Sequence, residues 1–119
     1  DVGVSFLSPE QSGASEQKVR QYLACGVPVV VSNGSSRFVE ASGIGSVVDY
    51  DDIDKIYASI KKFLDLDVES QVSIARKART YAIRNLSLDH SCRRRLDLWF
   101  EYLLKAREPL STIIPNGLD

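Results

Sequence analysis

The residues best suited to chemistry fall in one short stretch, Ser12-Gly13-Ala14-Ser15-Glu16-Gln17-Lys18. Ser12 and Ser15 both stand where a hydroxyl can cap a helix by accepting a bond from a first-turn amide. A helix N-terminus offers unpaired amides and the positive end of the helix dipole, which together attract an anion. Gly13 lets the backbone approach such an anion closely. Ser15 and neighbouring amides can bond phosphate oxygens, and Lys18 in the first turn adds a point charge. The stretch is therefore a candidate phosphate or diphosphate site. On spacing alone, a plain capped helix with an exposed lysine is the commoner reading. Glu16 has a local reason of its own, since a carboxylate is favourable on a first helical turn.

The elements that must hold this loop follow from periodicity. The pattern predicts a strand over 2–7, with Val2, Val4 and Phe6 on one side. A loop over 8–13 follows from its proline, glycine and serine content. A helix over 15–25 places Val19, Tyr22 and Leu23 on one face. Gly26 is the C′ residue able to take the left-handed conformation. Pro28 opens a second strand to residue 32, whose Val29-Val30-Val31 run suits a parallel strand covered on both faces. A polar turn over 33–36, one or two helical turns over 37–41 and a tight connector at 43–45 lead to a third strand over 46–50. Asp51 or Asp52 caps a helix with the stripe Ile53, Ile56, Tyr57, Ile60, Phe63 and Leu64. A helix over 68–84 carries Val72, Ala75, Ala78 and Ala82 on one face, small residues that imply close packing. Ser87 caps a last helix over 88–106, with Cys92, Leu96, Trp99, Phe100, Leu103 and Leu104 as its apolar set.

Alternating strands and helices predict an α/β fold, a three-layer Rossmann-like arrangement with flanking helices. Its parallel sheet has about three strands, half of a doubly wound sheet. Right-handed crossovers leave little freedom in its topology. Ligands of such sheets bind outside the strand carboxyl ends, where the loop over 7–18 lies. Residues 1–106 form one partial domain, and 107–119 an irregular tail. The chain has 119 residues, enough for one domain. Fifteen basic residues against sixteen acidic ones leave a net charge of −1, which gives no support to nucleic-acid binding. Cys25 and Cys92 lack metal-ligand spacing and read as buried, reduced thiols of a cytoplasmic protein. No apolar run approaches the ~20 residues of a membrane span. The chain opens at Asp1 on a core-type strand and contains no methionine, so it reads as a piece of a longer enzyme.

Ser15-Glu16-Gln17-Lys18-Val19-Arg20-Gln21-Tyr22-Leu23-Ala24-Cys25-Gly26-Val27-Pro28-Val29-Val30 resembles the donor-binding segment of group 1 glycosyltransferases. The nearest variety reads S-P-x-K-x-x-E-Y-x-A-x-G-x-P-V-V, and Asp1-Val2-Gly3-Val4 is similar to the strand that precedes it. These are retaining enzymes with two Rossmann-like domains, the GT-B fold. The likeness covers the second half of the C-terminal domain. It implies that Gly13, Ala14, Ser15 and Lys18 hold the diphosphate of a nucleotide-sugar donor and Gln21 its ribose. The family's paired acids, eight positions apart, fall at Gly13 and Gln21 here. Glutamine can still bond a ribose hydroxyl through its amide. Glu10 and Glu16 flank the site as further candidates. Glu40 resembles the glutamate of the family's G-G-x-x-E segment. The likeness implies transfer of a sugar to an acceptor such as a polysaccharide or glycolipid precursor, with no cofactor beyond the donor substrate and no metal. It also implies an N-terminal acceptor-binding domain, which would hold the catalytic histidine, and a peripheral membrane contact of the whole enzyme. No catalytic residue is assigned within this chain.

Other residues have simpler accounts. His90 is the single histidine and sits on the first turn of the last helix, at the surface. Arg93-Arg94-Arg95 fits a solvated helix face better than a lipid or partner contact. Trp99, Phe100 and Tyr102 read as packing residues rather than a sugar platform. The losses at Gly13 and Gln21 motivate an alternative, a non-catalytic α/β module with a degenerate donor site that serves in assembly or regulation. A phosphate-binding regulator of flavodoxin type lacks the acidic cluster it would need after the first strand. The isolated chain is expected to self-associate through the open edge of its first strand, and to be inactive alone.

Overall fold

A computed structural model of the chain describes residues 1–11, 17–32 and 36–106. Three short strands, β1 (Gly3–Ser5), β2 (Val29–Val31) and β3 (Gly45–Val47), form a parallel sheet in the order β1-β2-β3. Gly3 stands opposite Val29, and Val29 opposite Gly45. Helix α1 (Gln17–Ala24) joins β1 to β2, and the short α2 (Phe38–Ala41) precedes β3. Helices α3 (Ile53–Leu64) and α4 (Val68–Tyr81) follow, and α4 runs on as a π-helical turn, Ala82–Leu86. The chain divides into two compact units, Asp1–Leu86 and Ser87–Asp119. The second contains α5 (Leu88–Ala106). The expected tail over 107–119 lies outside the described residues.

The first unit is the expected α/β fold with a three-layer core. Successive strand residues point to opposite faces, and the fully buried β2 valines supply both. Val29 and Val31 pack with Val19 and Leu23 of α1, Val39, Ile44, Ala78 and Ala82. Val30 packs on the other side with Val48 and Phe63. Helices cover both faces, so β2 needs no polar alternation.

Two glycine-ended connections set the helices on the sheet. At the end of α1 the Gly26 amide donates to the Leu23 carbonyl at 2.9 Å and the Val27 amide to the Tyr22 carbonyl at 2.9 Å. This is a Schellman arrangement, and Gly26 takes the left-handed φ of 76° it requires. The end of α2 repeats the pattern. Gly43 has φ 65°, its amide donates to Glu40, and the Ile44 amide donates to Val39. In both cases a strand follows within three residues.

Asp52 caps α3 by accepting from the Lys55 amide at 3.0 Å, and Asp67 caps α4 by accepting from the Ser70 amide at 2.8 Å. Bonds from Ser70 hold the Asp67 carboxyl below its usual range, and those from Lys55 do the same for Asp52. The small face of α4 packs closely as expected: a Cβ on Gly26 would stand 3.1 Å from the Ala75 carbonyl oxygen. The Arg79 guanidinium donates to the Ala24 carbonyl at 3.2 Å, satisfying a C-terminal acceptor of α1.

Several expectations are corrected. The third strand is shorter and starts earlier than 46–50, because the chain turns at Asp49, whose carbonyl accepts from the Asp52 amide. On α3 only Ile56, Ile60 and Phe63 turn inward, whereas Ile53, Tyr57 and Leu64 are exposed. The three-strand sheet is too narrow to cover a stripe of that width. Val72 of α4 is likewise exposed. Cys25 and Cys92 are free as expected but exposed rather than buried. Ser87 does cap α5, accepting from the His90 amide at 3.2 Å. However, α5 buries none of its side chains, Trp99 and Phe100 included, because it is the only described element of its unit. Among the described residues, no helix is long and apolar enough to cross a membrane.

Candidate functional site

The site is built at the carboxyl end of the sheet. The Gly3 amide donates to the Pro28 carbonyl at 2.8 Å, so the end of α1 meets the beginning of β1. The first turn of α1, about 12 Å away along its eight residues, therefore lies towards the strand carboxyl ends. Val19 and Leu23 are buried and fix the rotation of α1. Tyr22 lies across β1: a Cβ on Gly3 would meet its ring carbons at 2.5 and 2.6 Å. The opposite face of α1 is thereby turned outward. Lys18 and Gln21, three residues apart, are neighbours on that exposed surface.

Ser32, just past β2, ties down the segment that leaves β1. Its hydroxyl accepts from the Leu7 amide at 2.9 Å and donates to the Leu7 carbonyl at 2.9 Å. Its own amide donates to Ser5 at 3.2 Å. The chain then makes a 3-10 turn, Pro9–Gln11, closed by a bond from the Gln11 amide to Ser8. Sequence reading missed Ser32, since nothing local in a serine after three valines marks a contact 25 residues away.

The other expected site residues are placed as follows. Glu10 is exposed on the 3-10 turn, and Glu40 is exposed on α2. Gly13, Ala14, Ser15 and Glu16 lie outside the described residues. Lys18 and Gln21 are thus brought together on one helix face. Glu10 and Glu40 stand on the separate segments that follow β1 and β2, and no hydrogen bond or ion pair joins them to Lys18 or Gln21. The Lys18 ammonium has no carboxylate partner among the described residues. Also among the described residues, no three His, Cys, Asp or Glu side chains converge as a metal site. His90 is exposed on the first turn of α5, in the second unit.

What the described part of this arrangement can do is electrostatic. An exposed ammonium on the first turn of a helix, at the ligand-binding end of a parallel sheet, can attract an anion. A neighbouring carboxamide one turn on can donate to or accept from a hydroxyl. Compared with protein-family models, curated proteins and solved structures, the chain matches none.

Proposed function

We propose that this chain is the donor-binding half-domain of a retaining, cytoplasmic glycosyltransferase, and that it binds a nucleotide-diphosphate sugar at the first turn of α1. One observation carries the reading. Lys18 and Gln21 share the exposed face of a helix that starts at the carboxyl end of a parallel sheet. The motif resemblance supports it, and so does the geometry of the A-x-G-x-P-V-V part: Gly26 is left-handed and the following valines are buried.

In this reading the Lys18 ammonium and the amides near Ser15 hold the diphosphate. The bond between the anomeric carbon and a diphosphate oxygen breaks, and the electron pair departs on that oxygen. Lys18 stabilises the charge that gathers there, a role in which fixed donors matter most. Gln21 bonds the ribose through its carboxamide. The acceptor hydroxyl, held by a second domain of the whole enzyme, bonds to the anomeric carbon on the face the diphosphate leaves, and its proton passes to the departing diphosphate oxygen.

Titration of the chain with a panel of nucleoside diphosphates tests this. Saturable binding that Lys18→Ala removes is expected. No binding, or binding indifferent to Lys18, favours the non-catalytic module instead, a reading motivated by Gly13 and Gln21 standing where acids are the rule.

A further inference from the structure

A cationic concavity lies at the other end of the sheet from the first turn of α1. Ser42 and Ile44 form its wall on the connection that enters β3, so it borders the strand amino ends. The opposite wall is the last two turns of α4 and the π-helical turn, which bring in Arg76, Lys77 and Arg84. Its volume is about 370 Å³, within the range of small-molecule sites.

Three features point to a phosphate. First, no carboxylate lines the groove, and none of its three cations is in an ion pair among the described residues. Like charges gathered without a counter-charge repel one another, so the arrangement favours an anionic occupant. Second, two guanidinium groups and an ammonium suit phosphate oxygens, which accept paired bonds from arginine forks. The Thr80 hydroxyl on the same wall adds a neutral donor. Third, Arg84 sits on a π-helical turn pinned by the buried Ala82. Such turns are rare and concentrate at functional sites. Beside the cations lie Ile44, fully buried, and Tyr81, stacked on Phe38 with ring centres 5.2 Å apart. Tyr81, which is half-buried, gives the uncharged remainder of a ligand an apolar face.

We propose that this groove binds the phosphate of a small phosphomonoester or diphosphate, at a site separate from the first turn of α1. The proposal stands whether or not the chain binds a nucleotide sugar. The phosphate can belong to a soluble metabolite or to a lipid headgroup, and the test separates the two.

The 119-residue chain, isotopically labelled, is titrated with inorganic phosphate and pyrophosphate at low salt while amide resonances are followed. In parallel it is sedimented with vesicles of phosphatidylcholine, with or without phosphatidic acid. Saturable shifts at Ile44, Arg76, Lys77 and Thr80 are expected. The double variant Arg76→Gln, Arg84→Gln should weaken them by about tenfold or more, the effect of losing charge-assisted bonds. Both side chains are exposed, so its melting temperature should match the parent. Thr80→Glu, which adds a carboxylate to the wall, should act likewise, and the shifts at Ile44, Arg76, Lys77 and Thr80 should persist in Lys18→Ala whatever happens to shifts on α1. Shifts with soluble phosphates assign a metabolite. Capture by phosphatidic acid vesicles alone, lost in the double variant, assigns a headgroup. Absence of both shifts and capture overturns the proposal. So do shifts at Ile44, Arg76, Lys77 and Thr80 that the double variant retains, or that Lys18→Ala removes.

Discussion

Single residues carry most of what the sequence made legible, and they also show where reading stops. Gly26 and Gly43 mark helix ends through a property intrinsic to glycine, and both take the left-handed conformation. Their substitution costs differ for a structural reason. A Cβ on Gly43 meets nothing within 4 Å, whereas one on Gly26 meets α4 at Ala75. Gly43→Ala should cost the backbone penalty alone, about 1–2 kcal/mol. Gly26→Val should cost more, about 2–4 kcal/mol, by adding β-branching and a displaced helix. Urea denaturation of the two variants checks the order, and equal costs would show that α1 and α4 are not in close contact at Gly26. Ser32 lies at the opposite extreme of legibility. Its two bonds to Leu7 depend on the fold bringing β1 and β2 together, which no local pattern records. Ser32→Ala should lose about 1–3 kcal/mol and speed amide exchange at Leu7, whereas Ser32→Thr, which keeps the hydroxyl, should lose less.

At the scale of elements, periodicity located each helix but not what covers its face. The boundaries of α5 match expectation, because Ser87 caps it and helix formers fill it. Its apolar residues are nevertheless exposed, as are Ile53, Tyr57 and Leu64 on α3. A stripe says which side is apolar, and burial depends on a partner elsewhere in the molecule. The π-helical turn after α4 was illegible for another reason: its residues continue a helical pattern, and only the hydrogen-bond register differs. The acidic cap of α3 was legible as Asp51 or Asp52, whereas Asp67, which caps α4, was not singled out, and it is Asp67 that gives a test. The Asp67 carboxyl is held below its ordinary value of 3.8 by the bonds from Ser70. A lowered folded value means stabilisation that is present above the unfolded value and lost as pH falls through the folded one. Stability should therefore decline below about pH 4. Asp67→Asn, an equally good cap without a titrating group, should flatten that acid limb in thermal melts at a series of pH values. An unchanged acid limb would place the titration elsewhere.

At the scale of the whole molecule, the parallel three-strand sheet with helices on both faces was readable from the order of apolar runs alone. Among the described residues it leaves β1 paired on one side only, to β2, with Val4 40% exposed. An apolar edge with unpaired backbone groups invites association. Light scattering over a concentration series should show growing mass, reduced by Val4→Lys, and a monomer at all concentrations would show that this edge is blocked. The candidate site was legible only in part. Lys18 and Gln21 share a face as the spacing requires, while Gly13, Ala14, Ser15 and Glu16 lie outside the described residues. Donor binding therefore turns on the ammonium at the first turn of α1. Its most direct test is a titration of the labelled chain with a panel of nucleoside diphosphates, comparing the parent with Lys18→Ala. Saturable shifts are expected at the amides of Lys18 and Gln21 for at least one diphosphate. The affinity should be about tenfold or more lower in the variant, with an unchanged melting temperature. Shifts that avoid α1 in the parent, or an equal affinity in Lys18→Ala, would contradict donor binding there.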